Sequence, residues 1–220
     1  MTDASGRTIA LCFICKNEEQ VIGRCIRSAV GLVDHVVAID TGSTDHTIRE
    51  IRDVCRRNKL PLTLEERPWV DFATNRTQLL ELARPLAQRL ILLDADMTVE
   101  MVKRPDLTDD ADSWMIGYSG PSSWRAKFVI TTARPYKYVG RVHEYGIPSD
   151  PEPPERVALL DDIVLTHHGD GGGDSQDWKT KAVKYFGLLL QDYVDDPTDP
   201  RTLYYMANTC LLYTSPSPRD

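Results

Sequence analysis

The stretch Arg89-Leu90-Ile91-Leu92-Leu93-Asp94-Ala95-Asp96-Met97 decides the fold. Its four consecutive apolar residues, with nothing polar between them, suit a central strand covered on both faces, as in a parallel sheet. Two carboxylates one residue apart follow, where such a strand would emerge at its C-terminal edge. Open α/β sheets bind ligands at that edge. Two anions held so close repel each other, and a divalent cation relieves the repulsion while taking oxygen ligands. An ordinary acidic turn is the competing reading, because Asp also favours turns and helix caps. The rest of the chain arbitrates.

Upstream, strands alternate with helices. Ile9 to Ile14 predicts the first strand, and Lys16-Asn17-Glu18-Glu19 opens a helix with Asn17 as its N-cap. The apolar stripe of that helix is Val21, Ile22, Cys25, Ile26, Ala29 and Val30, and Gly31 ends it. Val36 to Ile39 is the second strand, ending in the turn Asp40 to Thr47 that feeds a helix. There Thr47 and Glu50 have capping-box spacing. Leu62 to Leu64 forms a short third strand, and Asn75 to Arg84 a helix stopped by Pro85. This alternation predicts an α/β fold with a mostly parallel, doubly wound sheet.

Downstream the pattern changes. Trp114 to Tyr118 and Phe128 to Thr132 read as antiparallel strands, and Pro148 to Pro154 as an exposed loop. Ile163 to Leu165 is a last strand, which carries His167 and His168 into the glycine-rich segment Gly169 to Gly173. Asp174 or Ser175 caps a helix whose inner face is Trp178, Ala182, Tyr185, Phe186, Leu189, Leu190 and Tyr193. A further helix starts at Arg201, with Leu203, Met206 and Ala207 along its face.

The 220 residues allow one sizeable α/β domain with an appendage. A net charge of −7 argues against a general nucleic-acid footprint. No apolar run approaches the roughly 20 residues of a membrane span, and residues 1–7 do not form a secretory signal. The expected location is the cytoplasm, with a peripheral position at a membrane left open. Cys12 and Cys15 sit three apart on a strand and so face opposite ways, which excludes a shared metal and makes them buried structural thiols. A Rossmann glycine fingerprint and a P-loop are both missing, so a bound nucleotide would be held by side-chain carboxylates and a metal.

With these pieces placed, the chain resembles a family 2 glycosyltransferase of the GT-A fold. The resemblance rests on Asn17-Glu18-Glu19, Asp40-x-Gly42-Ser43-x-Asp45-x-Thr47 and Asp71-Phe72-x-x-x-Arg76. It continues through Asp94-x-Asp96, Val142-His143-Glu144 and the His167 segment, and so spans roughly residues 8–170. One departure is Thr77, where the family often has Asn. The remainder resembles the subgroup in which tetratricopeptide-like helices trail the transferase. The expected organisation is therefore a transferase domain over 1–170 and the start of a helical array over 171–209. Residues 210–220 resemble a translated sequencing adapter, and on that reading they are foreign to the natural chain.

The resemblance implies a nucleotide-diphosphate sugar donor, a UDP-sugar first among them, and transfer with inversion to an acceptor hydroxyl on a glycan, a lipid-linked sugar or a protein. It implies Glu18, Asp40, Arg76 and Asp94 as donor-binding residues. Asp40 would accept from a uracil imide N–H, and Asp94 would meet the ribose hydroxyls or a water on the metal. Asp96 and His167 would ligate Mn²⁺ or Mg²⁺, imidazole suiting Mn²⁺ better. Glu144 would be the general base, with Asp161 and Asp162 as rivals. Asp45 reads as a cap or turn residue, His143 as a hydrogen-bonded strand residue, and Arg141 as meeting phosphate, nucleobase or solvent. Two alternatives differ in class. A sugar nucleotidyltransferase would want a basic glycine-rich loop where Lys16 to Glu19 stands, and a silent binding scaffold would lack a pocket at Asp94 and Asp96.

Overall fold

The computed structural model describes residues 3–4, 6–108, 110–119, 125–171 and 178–214. An eight-stranded sheet runs in the order β3-β2-β1-β4-β7-β6-β10-β5. Its first half is β1 (Ile9–Cys15), β2 (His35–Asp40), β3 (Leu62–Glu66) and β4 (Arg89–Leu92), all parallel. The second half is β5 (Met97–Met101), β6 (Ser113–Tyr118), β7 (Arg125–Thr131) and β10 (Val157–His167). In that half β7 runs antiparallel to β4 and β6, and β5 antiparallel to β10. The doubly wound parallel half is as expected, and the whole sheet is mixed. A separate hairpin, β8 (Tyr136–Val139) and β9 (Tyr145–Pro148), stands beside it.

The period of two along the central strands sorts the core into layers. Ile9, Leu11, Phe13 and Cys15 of β1, with Ile91 and Leu93 at β4, face the layer that includes α1 (Ile22–Ser28) and α2 (Thr47–Arg57). Ala10 and Cys12, with Leu90 and Leu92, face α3 (Phe72–Ala83). The run Leu90 to Leu93 is buried throughout because both faces of the strand are covered. Cys12 and Cys15 fall on opposite layers, and burial pushes both thiols up. Arg89 is also buried, its guanidinium donating to the carbonyls of Leu107 and Gln88 and to the Thr131 hydroxyl, 2.8–3.1 Å away. That satisfies a charge otherwise expensive to bury.

Several local expectations are corrected. Asn17 does not cap α1, which starts five residues later behind Val21; it takes a left-handed φ of 57° in the loop after β1. Thr47 and Glu50 form no capping box, since the Glu50 carboxylate pairs with Arg27 instead. Helix α3 begins three residues earlier than expected because Asp71 caps it, accepting from the Thr74 amide at 2.6 Å. Thr77, the residue that departs from the family pattern, accepts from the Tyr138 amide at 2.9 Å and so ties α3 to β8.

Helices α4 (Trp178–Asp195) and α5 (Pro200–Thr214) pack on each other and on the hairpin side of the domain. The caps expected at Asp174 or Ser175 lie outside the described residues, as do residues 215–220 of the adapter-like tail. Helix α5 crosses the boundary expected at 209 without a break. Ala182 and Leu189 are buried as expected, whereas Leu190 and Tyr193 are exposed. The inward face of α5 carries Thr202, Tyr205 and Thr209 rather than Leu203 and Ala207. Among the described residues no helix is long and apolar enough to cross a membrane.

Ile91 is fully buried in the layer under α1. Ile91→Ala should lower the unfolding free energy by about 2–5 kcal/mol through lost burial and the cavity left behind. Denaturant titration followed by circular dichroism measures it.

Candidate active site

A cavity of about 470 Å³ opens at the C-terminal edge of the parallel strands. Its acidic end is made by Glu18, Asp94, Asp96 and Glu144, together with Arg76 and His167. Three topological facts bring these side chains together. Strand β4 ends at Leu92, two residues before Asp94, and the chain then turns, the Met97 amide donating to the Asp94 carbonyl at 3.1 Å. The new strand, β5, then pairs with β10 in a register that sets His167 opposite Met97. His167 Nε2 therefore lies 3.0 Å from Asp96 Oδ2. Sequence reasoning missed β5, whose alternation Met97-Thr98-Val99-Glu100 is short, yet β5 is what carries His167 to Asp96.

Arg76, reached from the second turn of α3, lies between two carboxylates. Its Nη2 bonds Asp94 Oδ1, and its Nε bonds Glu144 Oε1 at 2.5 Å. The guanidinium also sits 5.6 Å from the centre of the Tyr138 ring. Burial alone would push the Asp94 carboxyl up, but the charge and hydrogen bond of Arg76 outweigh it and hold that group below its ordinary value. Arg76 was expected to meet the donor; it lines the cavity, and its described bonds go to these two carboxylates. Glu144 is mostly buried beside it, with Oε1 engaged.

The motif residues after β1 and β2 bond chiefly to each other. Asn17 Oδ1 accepts from the Thr44 amide at 2.8 Å, and the Asn17 amide donates to Ser43 Oγ at 2.9 Å. The Glu18 amide donates to Thr47 Oγ1 and the Glu19 amide to Asp45 Oδ2, at 2.7 and 3.2 Å. Asp45 also accepts from the Thr47 amide and hydroxyl, so it is the turn residue expected. Asp40 is nearly inaccessible. Its Oδ2 accepts from the amides of Gly42 and Ser43 at 3.0 and 2.8 Å, and its Oδ1 from the Ser43 hydroxyl. With both oxygens engaged in the turn, Asp40 holds the loop while its neighbour Thr41 lines the cavity. Asp40 was expected to contact the nucleobase; its described hydrogen bonds go to its own turn.

A strap closes over the acidic end. The His168 amide donates to the Asp96 carbonyl at 3.2 Å, and Arg24 of α1 grips Asp170 with two bonds of 2.5 and 2.9 Å. This seats Gly171 against Asp96 and Glu18, where an added Cβ would lie 3.2 Å from the Asp96 Cβ and from a Glu18 carboxylate oxygen. His168 Nε2 lies 2.9 Å from the Thr98 hydroxyl. As a cation site, Asp96 and His167 offer one hard oxygen ligand and one imidazole, with the Glu18 carboxylate nearby across Gly171. Among the described residues no group of three or more His, Cys, Asp or Glu is close enough to enclose a cation. The donor set therefore fits a divalent ion that completes its shell with substrate oxygens.

Aromatic and basic side chains also line the cavity. Trp69 and Phe72 meet edge to face with centroids 4.7 Å apart, and Phe72 meets Tyr185 of α4 at 6.1 Å. Lys184 lies 5.2 Å from the Trp69 ring centre and Lys181 5.7 Å from that of Tyr185, and all four of these side chains line the cavity. The two lysines were missed because, read as a helix surface, they look like ordinary solvated charges. Asp161 and Asp162 lie away from the cavity, paired with Arg125 and Lys103. Arg141 pairs with Asp192 and Asp195 of α4.

Residues 11–112 match the family model described as Glycosyl transferase family 2, a little under half of the chain. Comparison with curated proteins gave no match. Among solved structures, the chain is similar to S. aureus TarS residues 1–349 in complex with UDP, at 13% identity and a TM-score of 0.52, covering 97% of this chain and 73% of that one. The same protein in complex with UDP-GlcNAc gives 12% identity, a TM-score of 0.51, and coverages of 94% and 73%. The mannosyltransferase PcManGT from Pyrobaculum calidifontis, in complex with GDP-Man and Mn²⁺, gives 14%, 0.53, and coverages of 92% and 68%. These likenesses establish the GT-A fold. With the family match they support a glycosyltransferase.

Replacing Arg76 tests the central pairing. In Arg76→Met the cation and its hydrogen bond are gone, so the Asp94 carboxyl should lose its depression and titrate higher than in the wild type. The stability that the pair contributes is present above the ordinary value and fades as pH falls through the lowered folded one. Carbon-detected NMR titration of the Asp carboxyls, wild type against variant, reads the shift.

Proposed function

We propose that the chain transfers a sugar from a nucleotide-diphosphate donor to an acceptor hydroxyl, with inversion, assisted by Mn²⁺ or Mg²⁺. The observation that carries this is the convergence of Asp94, Asp96, His167, Arg76 and Glu144 in one cavity at the sheet edge where α/β folds bind ligands. The UDP, UDP-GlcNAc and GDP-Man complexes of the similar structures favour a nucleotide sugar, and the Mn²⁺ in one of them favours a divalent metal. A sugar nucleotidyltransferase is disfavoured by the loop Lys16 to Glu19, whose backbone is spent on the β2 turn and which carries two acids.

On this reading Asp96 and His167 would hold the metal, which would offset negative charge on the departing diphosphate. Glu18 and the Asp40–Ser43 turn frame the nucleotide, with Thr41, Lys16 and Asn17 presenting the loop surface. Asp94, its inner oxygen fixed by Arg76, turns its outer one toward ribose or sugar hydroxyls. Glu144 takes the proton of the acceptor hydroxyl with the oxygen not bonded to Arg76. The acceptor oxygen bonds to the anomeric carbon as the bond from that carbon to the phosphate oxygen breaks, and the electron pair leaves with the diphosphate. Displacement in one step from the face opposite the leaving group inverts the centre. Lys181 and Lys184 add positive charge near the phosphates. We further propose that α4 and α5 begin a tetratricopeptide-like array, a reading supported by the exposed apolar side chains Val183, Leu190, Val194, Leu203 and Tyr204.

A screen of UDP- and GDP-sugars for hydrolysis, with and without Mn²⁺, tests the activity. One or more donors should be turned over only with the metal, and no turnover of any donor would contradict the reading. Asp96→Ala should abolish that turnover while leaving the fold intact by circular dichroism. Glu144→Gln keeps shape but removes basicity. It should cut transfer by about 10²–10⁴ while UDP affinity, measured by calorimetry, persists.

A further inference from the structure

Two residues of α5, far along the chain from the catalytic motifs, grip the segment that carries Glu144. Gly140 turns the chain out of β8 with φ 85°, and His143 follows with φ 54°, a conformation that costs a non-glycine residue energy and persists only when its surroundings hold it. The His143 ring stacks face to face on Tyr205, centroids 4.0 Å apart and 8° from parallel. Its carbonyl accepts from Arg201 Nη2 at 2.9 Å. The Arg201 guanidinium in turn lies between two rings, 4.4 Å from the centre of Tyr145 and 5.0 Å from that of Tyr205. The residues immediately before and after Glu144 are thus held from α5, while Arg76 holds its side chain from α3. Upstream, the Arg141 amide and guanidinium are fixed by Asp192 of α4, at 3.0 and 2.6 Å. Burial pushes the His143 imidazole below its ordinary value, with Arg201 and Lys181 adding to the shift and Glu144 opposing it, so the stacked ring is neutral near pH 7.

We infer that Tyr205 and Arg201 are positioning residues for the transfer, acting through His143 and Tyr145 to hold Glu144 at the acceptor side of the cavity, so that the helical pair completes the active site. The inference deepens the glycosyltransferase reading and rests on Glu144 as the base. A base misplaced by an ångström costs rate without costing donor affinity, because the nucleotide is held by other elements.

The test compares the full chain with Tyr205→Leu, Arg201→Met and Tyr205→Phe. In the first two, amide hydrogen exchange over residues 142–146 should rise by about tenfold or more while the amides of β1 and β4 keep their wild-type protection. UDP affinity in Mn²⁺, by calorimetry, should stay within about twofold, while hydrolysis of UDP-glucose, UDP-GlcNAc or GDP-mannose, whichever the wild type turns over fastest, should fall about tenfold in kcat with KM unchanged. Tyr205→Phe keeps the stack and should match wild type in all three measurements. Unchanged exchange over 142–146, UDP affinity lost in step with rate, or a Phe variant as impaired as Leu would each overturn the inference. If the wild type hydrolyses none of the three donors, the glycosyltransferase reading fails, and the exchange data still decide whether α5 holds the segment.

Discussion

The site depends on one guanidinium shared by two carboxylates. Asp94 comes from the end of β4 and Glu144 from the bend between β8 and β9, and nothing in local structure brings these elements together. Arg76, on α3 between them, bonds both. Ion pairs of this kind add little net stability once desolvation is counted, but losing one partner leaves an uncompensated charge. What the pairing supplies is geometry: it fixes one oxygen of each acid where both side chains line the cavity. A second cation on each acid would crowd the site, and no cation would drive the acids apart or toward protonation. The Tyr138 ring against the guanidinium, with burial and the nearby acids raising its phenol to about 12, keeps the far side of Arg76 covered by a neutral group.

Around this pair the cavity divides by charge. The strap from His167 to Gly171, pinned by Arg24 and Asp170, sets an imidazole against Asp96 and packs Gly171 closely against Asp96 and Glu18. To the same cavity α4 contributes two lysines and a tyrosine, beside Trp69 and Phe72. Helix α4 therefore lines the candidate site.

Much of this was legible in the sequence. The apolar run ending in Asp94-x-Asp96 marked the central strand and its functional edge, because a strand buried on both faces leaves an unambiguous pattern. His167 and Glu144, two of the residues expected at the site, line the same cavity. The roles of Asp40 and Arg76 were less legible: both are polar residues in the expected motifs, but a sequence does not say whether a motif side chain faces a ligand or another part of the chain. Asp40 turned out to brace its own loop and Arg76 to bridge two acids. Strand β5 escaped because five residues of weak alternation followed a turn, and only the partner strand β10 stabilises them. Lys181 and Lys184 were invisible as cavity residues, and so were the contacts of Tyr205 and Arg201 with His143, since these arise from how α4 and α5 dock, a tertiary fact with no local signature.

The most direct measurement is paramagnetic broadening by Mn²⁺ in the isotope-labelled chain saturated with UDP. The account predicts that amides of residues 94–97 and 166–171 broaden first and together, and that Asp96→Ala abolishes the effect. Broadening centred instead on the acidic surface at residues 192–199, or unchanged in Asp96→Ala, would contradict it.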